Sequence, residues 1–112
     1  LAVENLEGSL PLPEGSVADF ALRVVGESMV EAGVLDGDLV LVEQNQNPQP
    51  GDMVVAILGD GETQEATVKY YHPSKGQVVL RPAHPTMKDI LVQAPESLTV
   101  AGRVVGVLRL WD

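Results

Sequence analysis

A single, mainly β domain is the fold class the sequence predicts, and three observations carry it. The chain has 112 residues, the commonest size for one domain around one core. Eleven Gly and eight Pro punctuate short runs rich in Val and Leu. Nowhere does an apolar 3.6-residue repeat persist for three turns, so strands are what remains to bury those runs. With 45% of residues hydrophobic and 21% charged, the composition is that of a folding chain and not a disordered one. The expected architecture is twisted antiparallel sheets preceded by an irregular N-terminal arm.

The arm covers residues 1–17, because Gly8, Pro11, Pro13 and Gly15 favour extended or turn conformations over a packed helix; the domain covers residues 18–112. Phe20 to Val25 reads as a strand, and Ser28 to Ala32 as one helical turn ended by Gly33. After the turn residues Asp36-Gly37-Asp38 comes a strand over Leu39 to Glu43, then a loop over Asn45 to Gly51. Met53 to Leu58 is apolar without alternation, which suits a strand covered on both faces. Gly59-Asp60-Gly61 is a turn; Glu65 to Tyr71 resumes as a strand, His72 to Gly76 turns, and Gln77 to Arg81 returns. Pro82 to Pro95 is mostly loop around a short strand at Ile90 to Val92.

Leu98 to Leu110 is the longest strand candidate, with Gly102 and Gly106 marking a bend or bulge. Period-2 alternation puts Thr99, Ala101, Arg103, Val105, Val107, Arg109 and Trp111 on one face and leaves the other wholly apolar. Such a strand near the chain end is either an edge that pairs with its twofold copy or an ordinary edge guarded by its arginines.

Charge excludes function classes. Seven Lys plus Arg against sixteen Asp plus Glu give a formal net charge of −9, which repels nucleic-acid phosphates and acidic membrane surfaces alike. The longest run without a polar residue, Met53 to Gly59, is far short of the roughly 20 residues that span a bilayer. Without Cys there is no disulfide framework, thiol nucleophile or thiolate metal site, a composition that fits a reducing compartment. The chain opens on Leu1 with no basic and apolar leader and reads as a fragment or processed product.

Of three lysines, Lys75 and Lys88 sit among turn and polar residues, whereas Lys69 lies in Ala66-Thr67-Val68-Lys69-Tyr70-Tyr71. Alternation places Thr67, Lys69 and Tyr71 on one face and Val68 and Tyr70 on the other. Such a lysine either lays its stem over apolar surface with the ammonium in water, or is a desolvated general base. The second role requires its pKa to fall several units from about 10.4, each unit representing about 1.4 kcal/mol of disfavoured charge. It also requires a nucleophile. Ser9, Ser16, Ser74 and Ser97 neighbour turn or polar residues, but Ser28 follows a strand exit and Gly26, which permits a sharp turn. Ser28 there is either the N-cap of the short helical turn or a nucleophile beside exposed backbone N–H groups able to form an oxyanion hole.

Other candidates point to structure. His72 and His84 each precede a Pro and have no neighbouring ligands to complete a metal site. A Ser-His-Asp triad built on Ser28 is not excluded by spacing, since triads assemble in space, but it leaves Lys69 in an apolar strand without a reason. Asp36 and Asp38 around Gly37 are ordinary turn chemistry. No metal or cofactor is expected.

Gly26-Glu27-Ser28-Met29, then Leu35-Asp36-Gly37-Asp38-Leu39-Val40-Leu41-Val42, then Thr67-Val68-Lys69 together resemble the LexA family of self-cleaving repressors, whose relatives include UmuD proteins and lambda-type phage repressors. Ala18 to Val24 before these blocks and Val100 to Val107 after them extend the resemblance over most of the chain. It implies a cytoplasmic serine endopeptidase with Ser28 as nucleophile, Lys69 as its base, and the backbone N–H groups of Glu27 and Ser28 as oxyanion donors. It further implies a homodimer through the C-terminal strand region, stimulation of cleavage by a RecA filament, and DNA binding through a domain upstream of Leu1. By the same alignment the scissile Ala-Gly bond falls a few residues before Leu1. Ala32-Gly33 and Ala101-Gly102 lie inside core blocks and are read as packing features. A UmuD-like polymerase subunit would share the chemistry, and a non-catalytic dimerisation module would share the shape alone.

Overall fold

The computed structural model describes residues 3–5, 17–45, 47–59, 64–93 and 97–111. In it the strands β1 (Val3–Asn5), β2 (Phe20–Val24), β3 (Leu39–Glu43), β4 (Met53–Leu58), β5 (Glu65–Ser74), β6 (Gln77–Arg81), β7 (Ile90–Val92) and β8 (Leu98–Leu108) join one sheet. Its order is β1-β2-β3-β8-β4-β5-β6-β7, and every pairing is antiparallel. Strand β1 also approaches β5, so the sheet curls back toward itself. The mainly β, antiparallel expectation holds. Among the described residues no helix is long and apolar enough to cross a membrane.

The sheet buries apolar side chains on both sides. Leu22, Val24, Met29, Val34, Val40, Val42, Val55 and Val68 form one cluster; Val54, Ala56, Val78, Leu80 and Val92 form the other. Strand β4 separates them, and its unbroken apolar run follows from that position: Val54 and Ala56 face one cluster while Val55 faces the other. Strand β5 lies next to it and does the same, with Val68 and Tyr70 packed on the first cluster and Tyr71 on the second.

Strand β8 corrects an expectation. It is not an edge: its N-terminal half pairs with β4 and its C-terminal half with β3, which places it inside the sheet. Eleven residues are long enough to serve two partners in tandem, and nothing in a strand's own alternation reveals how many neighbours it has. Both glycines do mark irregularities. The register slips where partners step from Gly102 to Val100, and again where they step from Gly106 to Val104. Each extra residue inverts the alternation, so Ala101 and Val104, expected on opposite faces, both pack on the first cluster. The wholly apolar face is therefore broken up. The strand also ends at Leu108, two residues early, because Arg109 turns to pair with Asp38.

Smaller differences have local causes. Strand β5 continues through Ser74, and the turn shrinks to Lys75-Gly76, whose φ values of 43° and 81° are the positive pair a tight hairpin needs. Pro73 is tolerated there because Tyr71, two residues earlier, bonds Gly51 and Asp52; the missing N–H of Pro73 points the same way, past the start of β4. The helical turn is a short 3₁₀ segment, Val30–Ala32, closed by Gly33 at φ 83°. Val25 falls outside β2. Within the arm expected to be irregular, Val3–Asn5 pairs with β2. The rest of the arm over 6–16, the turn residues 60 and 61, and residues 94 and 95 lie outside the described residues.

Candidate active site

Ser28 and Lys69 come from distant parts of the chain and meet inside the protein. Strand β2 ends at Val24, and Gly26, with φ 100°, turns the backbone sharply toward Ser28. The Gly26 N–H donates to Asp36 Oδ1, which ties this turn to the Asp36-Gly37-Asp38 turn. Met29, 1% exposed, anchors the loop in the first core cluster. From the far side Ala83 N–H donates to Ser28 O, and Glu31 N–H donates back to Ala83 O. The nucleophile candidate is thus held from three directions.

Lys69 reaches it from the middle of β5. Its Nζ lies 2.9 Å from Ser28 Oγ and makes a second hydrogen bond to Thr67 Oγ1. Ser28 and Lys69 are 1% and 4% exposed, so the amine is not laid over a surface with its head in water. Burial pushes its pKa down from 10.5 to about 8, with Glu65 opposing weakly from the same strand. No carboxylate pairs with Nζ among the described residues; its partners are two hydroxyls. Nor is Ser28 the N-cap of the 3₁₀ segment, a position taken by Met29 without a side-chain cap bond. A neutral amine in this place can accept the Ser28 proton through its lone pair while donating an N–H to Thr67.

Thr67 is the residue that sequence reasoning missed. It is 4% exposed and sits two residues before Lys69 on the same strand face, which was the available signal. Its hydroxyl accepts a hydrogen bond from the same amine that reaches Ser28. The backbone N–H groups of Glu27 and Ser28 have no carbonyl partner among the described residues.

A cleft of about 320 Å³ opens beside the pair, lined by Ser28, Lys69, Pro82, Met87, Lys88 and Ile90. Its walls are mostly apolar, so an extended peptide backbone entering it would displace water from around the amine. Asp36 and Asp38 act as turn residues, as expected, and Asp38 does more. Its 1% exposed carboxylate takes Arg109 Nε and Nη2 at 2.7 Å each and the Leu35 N–H at 2.7 Å. The Arg109 guanidinium holds the Asp38 carboxyl below its usual range, against the opposing effect of burial. His72 lies in β5 and His84 in the loop after β6, where the His84 ring bonds Thr86 and Met87. Among the described residues no three His, Asp or Glu are grouped to hold a metal ion.

Residues 1–105 match the Peptidase S24-like family. The chain is 44% identical over 115 residues to the LexA repressor of Geobacillus kaustophilus, an alignment covering 99% of the chain and 53% of that protein. It is 44% identical over 111 residues to the LexA repressor of Halalkalibacterium halodurans (96% and 51%) and 43% identical over 112 residues to that of Ruminiclostridium cellulolyticum (97% and 49%). The chain spans about half the length of the curated relatives it matches.

Proposed function

The chain belongs to the Peptidase S24-like family, and on that premise we propose that it is the self-cleaving domain of a LexA-like repressor of the DNA-damage response. One observation carries the chemistry: a buried amine, without a carboxylate partner among the described residues, lies 2.9 Å from a buried serine hydroxyl. Lys69 takes the Ser28 Oγ proton as Oγ attacks the carbonyl carbon of a linker peptide bond upstream of this domain. The negative charge that develops on the carbonyl oxygen is met by the N–H groups of Glu27 and Ser28. When the C–N bond breaks, Lys69 returns the proton to the leaving amine. It then removes a proton from water as the water oxygen attacks the Ser28 ester, and passes that proton to Ser28 Oγ as the ester C–O bond breaks and the new carboxyl terminus is freed.

The resemblance of the relatives supports the rest of this function. Operator binding would reside in a separate domain, in keeping with a charge of −9 on this one, and a RecA filament would favour the state in which the linker enters the cleft. The protein would work in the cytoplasm. With β8 inside the sheet, the surface offered for a homodimer is the segment after it. Leu110 and Trp111 are 66% and 87% exposed there, and the Arg109–Asp38 pair fixes them to the body of the domain.

The test is Ser28→Ala in the full-length protein, followed by intact mass during incubation at pH 9. The variant is expected to remain uncut over a period in which the parent is fully processed. Processing at the parental rate would rule out Ser28 as the nucleophile, and absence of processing in the parent would favour a purely dimerising module.

A further inference from the structure

The segment between β6 and β7 forms one wall of the cleft, with Pro82, Met87 and Lys88 beside Ser28 and Lys69. Residues 82–89 have no regular secondary structure, so little in the backbone itself fixes that wall. Its two ends are tied. Ala83 exchanges hydrogen bonds with Ser28 and Glu31, and at the other end Asp89 pairs with Arg81 at 3.2 Å. Between the ties the backbone bonds to one imidazole. His84 Nδ1 accepts the N–H groups of both Thr86 and Met87 at 3.1 Å, with Thr86 Oγ1 at 3.4 Å.

We infer that His84 is a positioning residue for self-cleavage: its ring nitrogen buckles the 82–89 segment so that Met87 forms a fixed wall of the cleft that receives the peptide. Two N–H donors converging on Nδ1 require that nitrogen to be unprotonated, which leaves the ring proton on Nε2. The geometry is that of an Asx turn, with an imidazole nitrogen in place of a carboxamide oxygen. An Asn carries an acceptor at the same remove from Cβ, so it can make the same two bonds; an Ala cannot. Met87 is 44% exposed and belongs to neither core cluster, so losing the buckle frees the wall without disturbing the core. The inference rests on the assignment of Ser28 and Lys69 to the reaction, because it concerns delivery of the peptide to that pair.

The experiment compares His84→Ala and His84→Asn in the full-length protein by two readouts: the first-order rate of self-cleavage, and the rate at which a small fluorophosphonate labels Ser28. The reagent needs the activated hydroxyl but not the wall. His84→Ala is expected to cleave itself about five- to fiftyfold more slowly, the range for a misplaced reactant, while labelling stays within about twofold of the parent. His84→Asn is expected to match the parent in both. Parental cleavage by His84→Ala, a parallel loss of cleavage and labelling, or a His84→Asn variant as impaired as His84→Ala would each overturn the inference. Failure of the underlying assignment shows separately, as normal cleavage by Ser28→Ala.

Discussion

Lys69→Met is expected to slow self-cleavage by about two to four orders of magnitude, the usual contribution of a general base. The same change is expected to reduce the pH dependence of folding stability. Burial lowers the amine pKa from 10.5 to about 8 in the folded chain, so between those values the unfolded chain binds more protons. Parental stability therefore rises with pH across that window, and below about pH 8 the folded state carries the full cost of keeping the amine poised. At neutral pH that cost is about 3 kcal/mol. Methionine keeps most of the stem volume and has nothing to titrate. Denaturant unfolding of parent and variant at pH 7 and pH 10.5 should show their stability difference moving by about 3 kcal/mol in the parent's favour. An unchanged difference would mean that the fold does not lower the Lys69 pKa.

Gly102→Ala is expected to destabilise the domain by about 3 kcal/mol or more, at the upper end of overpacking effects. A Cβ at this position would lie 2.4 Å from the Glu43 carbonyl oxygen and 2.6 Å from Val42 Cγ1. The carbonyl belongs to β3, and Gly102 lies in a strand paired on both sides, so neither can retreat without opening the sheet. Gly106→Ala is the internal control. Its Cβ would meet Leu41 Cδ1 at 3.3 Å, the mobile end of a side chain, and should cost less than about 1 kcal/mol. Thermal unfolding should lower the midpoint of Gly102→Ala by about ten degrees or more and barely move that of Gly106→Ala. Equal midpoints would show that β8 is not packed this closely against β3.

Much of the fold was legible because β structure leaves local marks. The unbroken apolar run of β4 announced burial on both faces, and Gly102 and Gly106 announced the bulges of β8. What was hidden is non-local. The place of β8 between β3 and β4 depends on which strands choose each other, and the bulges that Gly102 and Gly106 permit invert the very alternation used to assign its faces. The turn at Lys75-Gly76 was misjudged for the opposite reason: Pro73 is a strong local signal that its position beyond the start of β4 overrides.

The site followed the same division. Lys69 stood out as a cation on an apolar strand and Ser28 as a hydroxyl after a glycine turn, and the fold brings them to 2.9 Å across 41 residues of sequence. The Thr67 hydroxyl was missed because a strand Thr is ordinary until its neighbour two residues on is known to be a buried amine. His84 was read only as a possible metal ligand or a structural residue, and its two backbone bonds depend on the local path of an irregular segment, which no residue pattern reveals.

The central claim is that a lysine whose pKa is lowered by burial activates Ser28. The measurement that tests it most directly is the rate of spontaneous self-cleavage of the full-length protein from pH 5.5 to 10.5. A base with a pKa of about 8 predicts a rate rising about tenfold per pH unit below that value and level above it. A rate that is flat over this range, or a rising profile that survives in Lys69→Met, would contradict it.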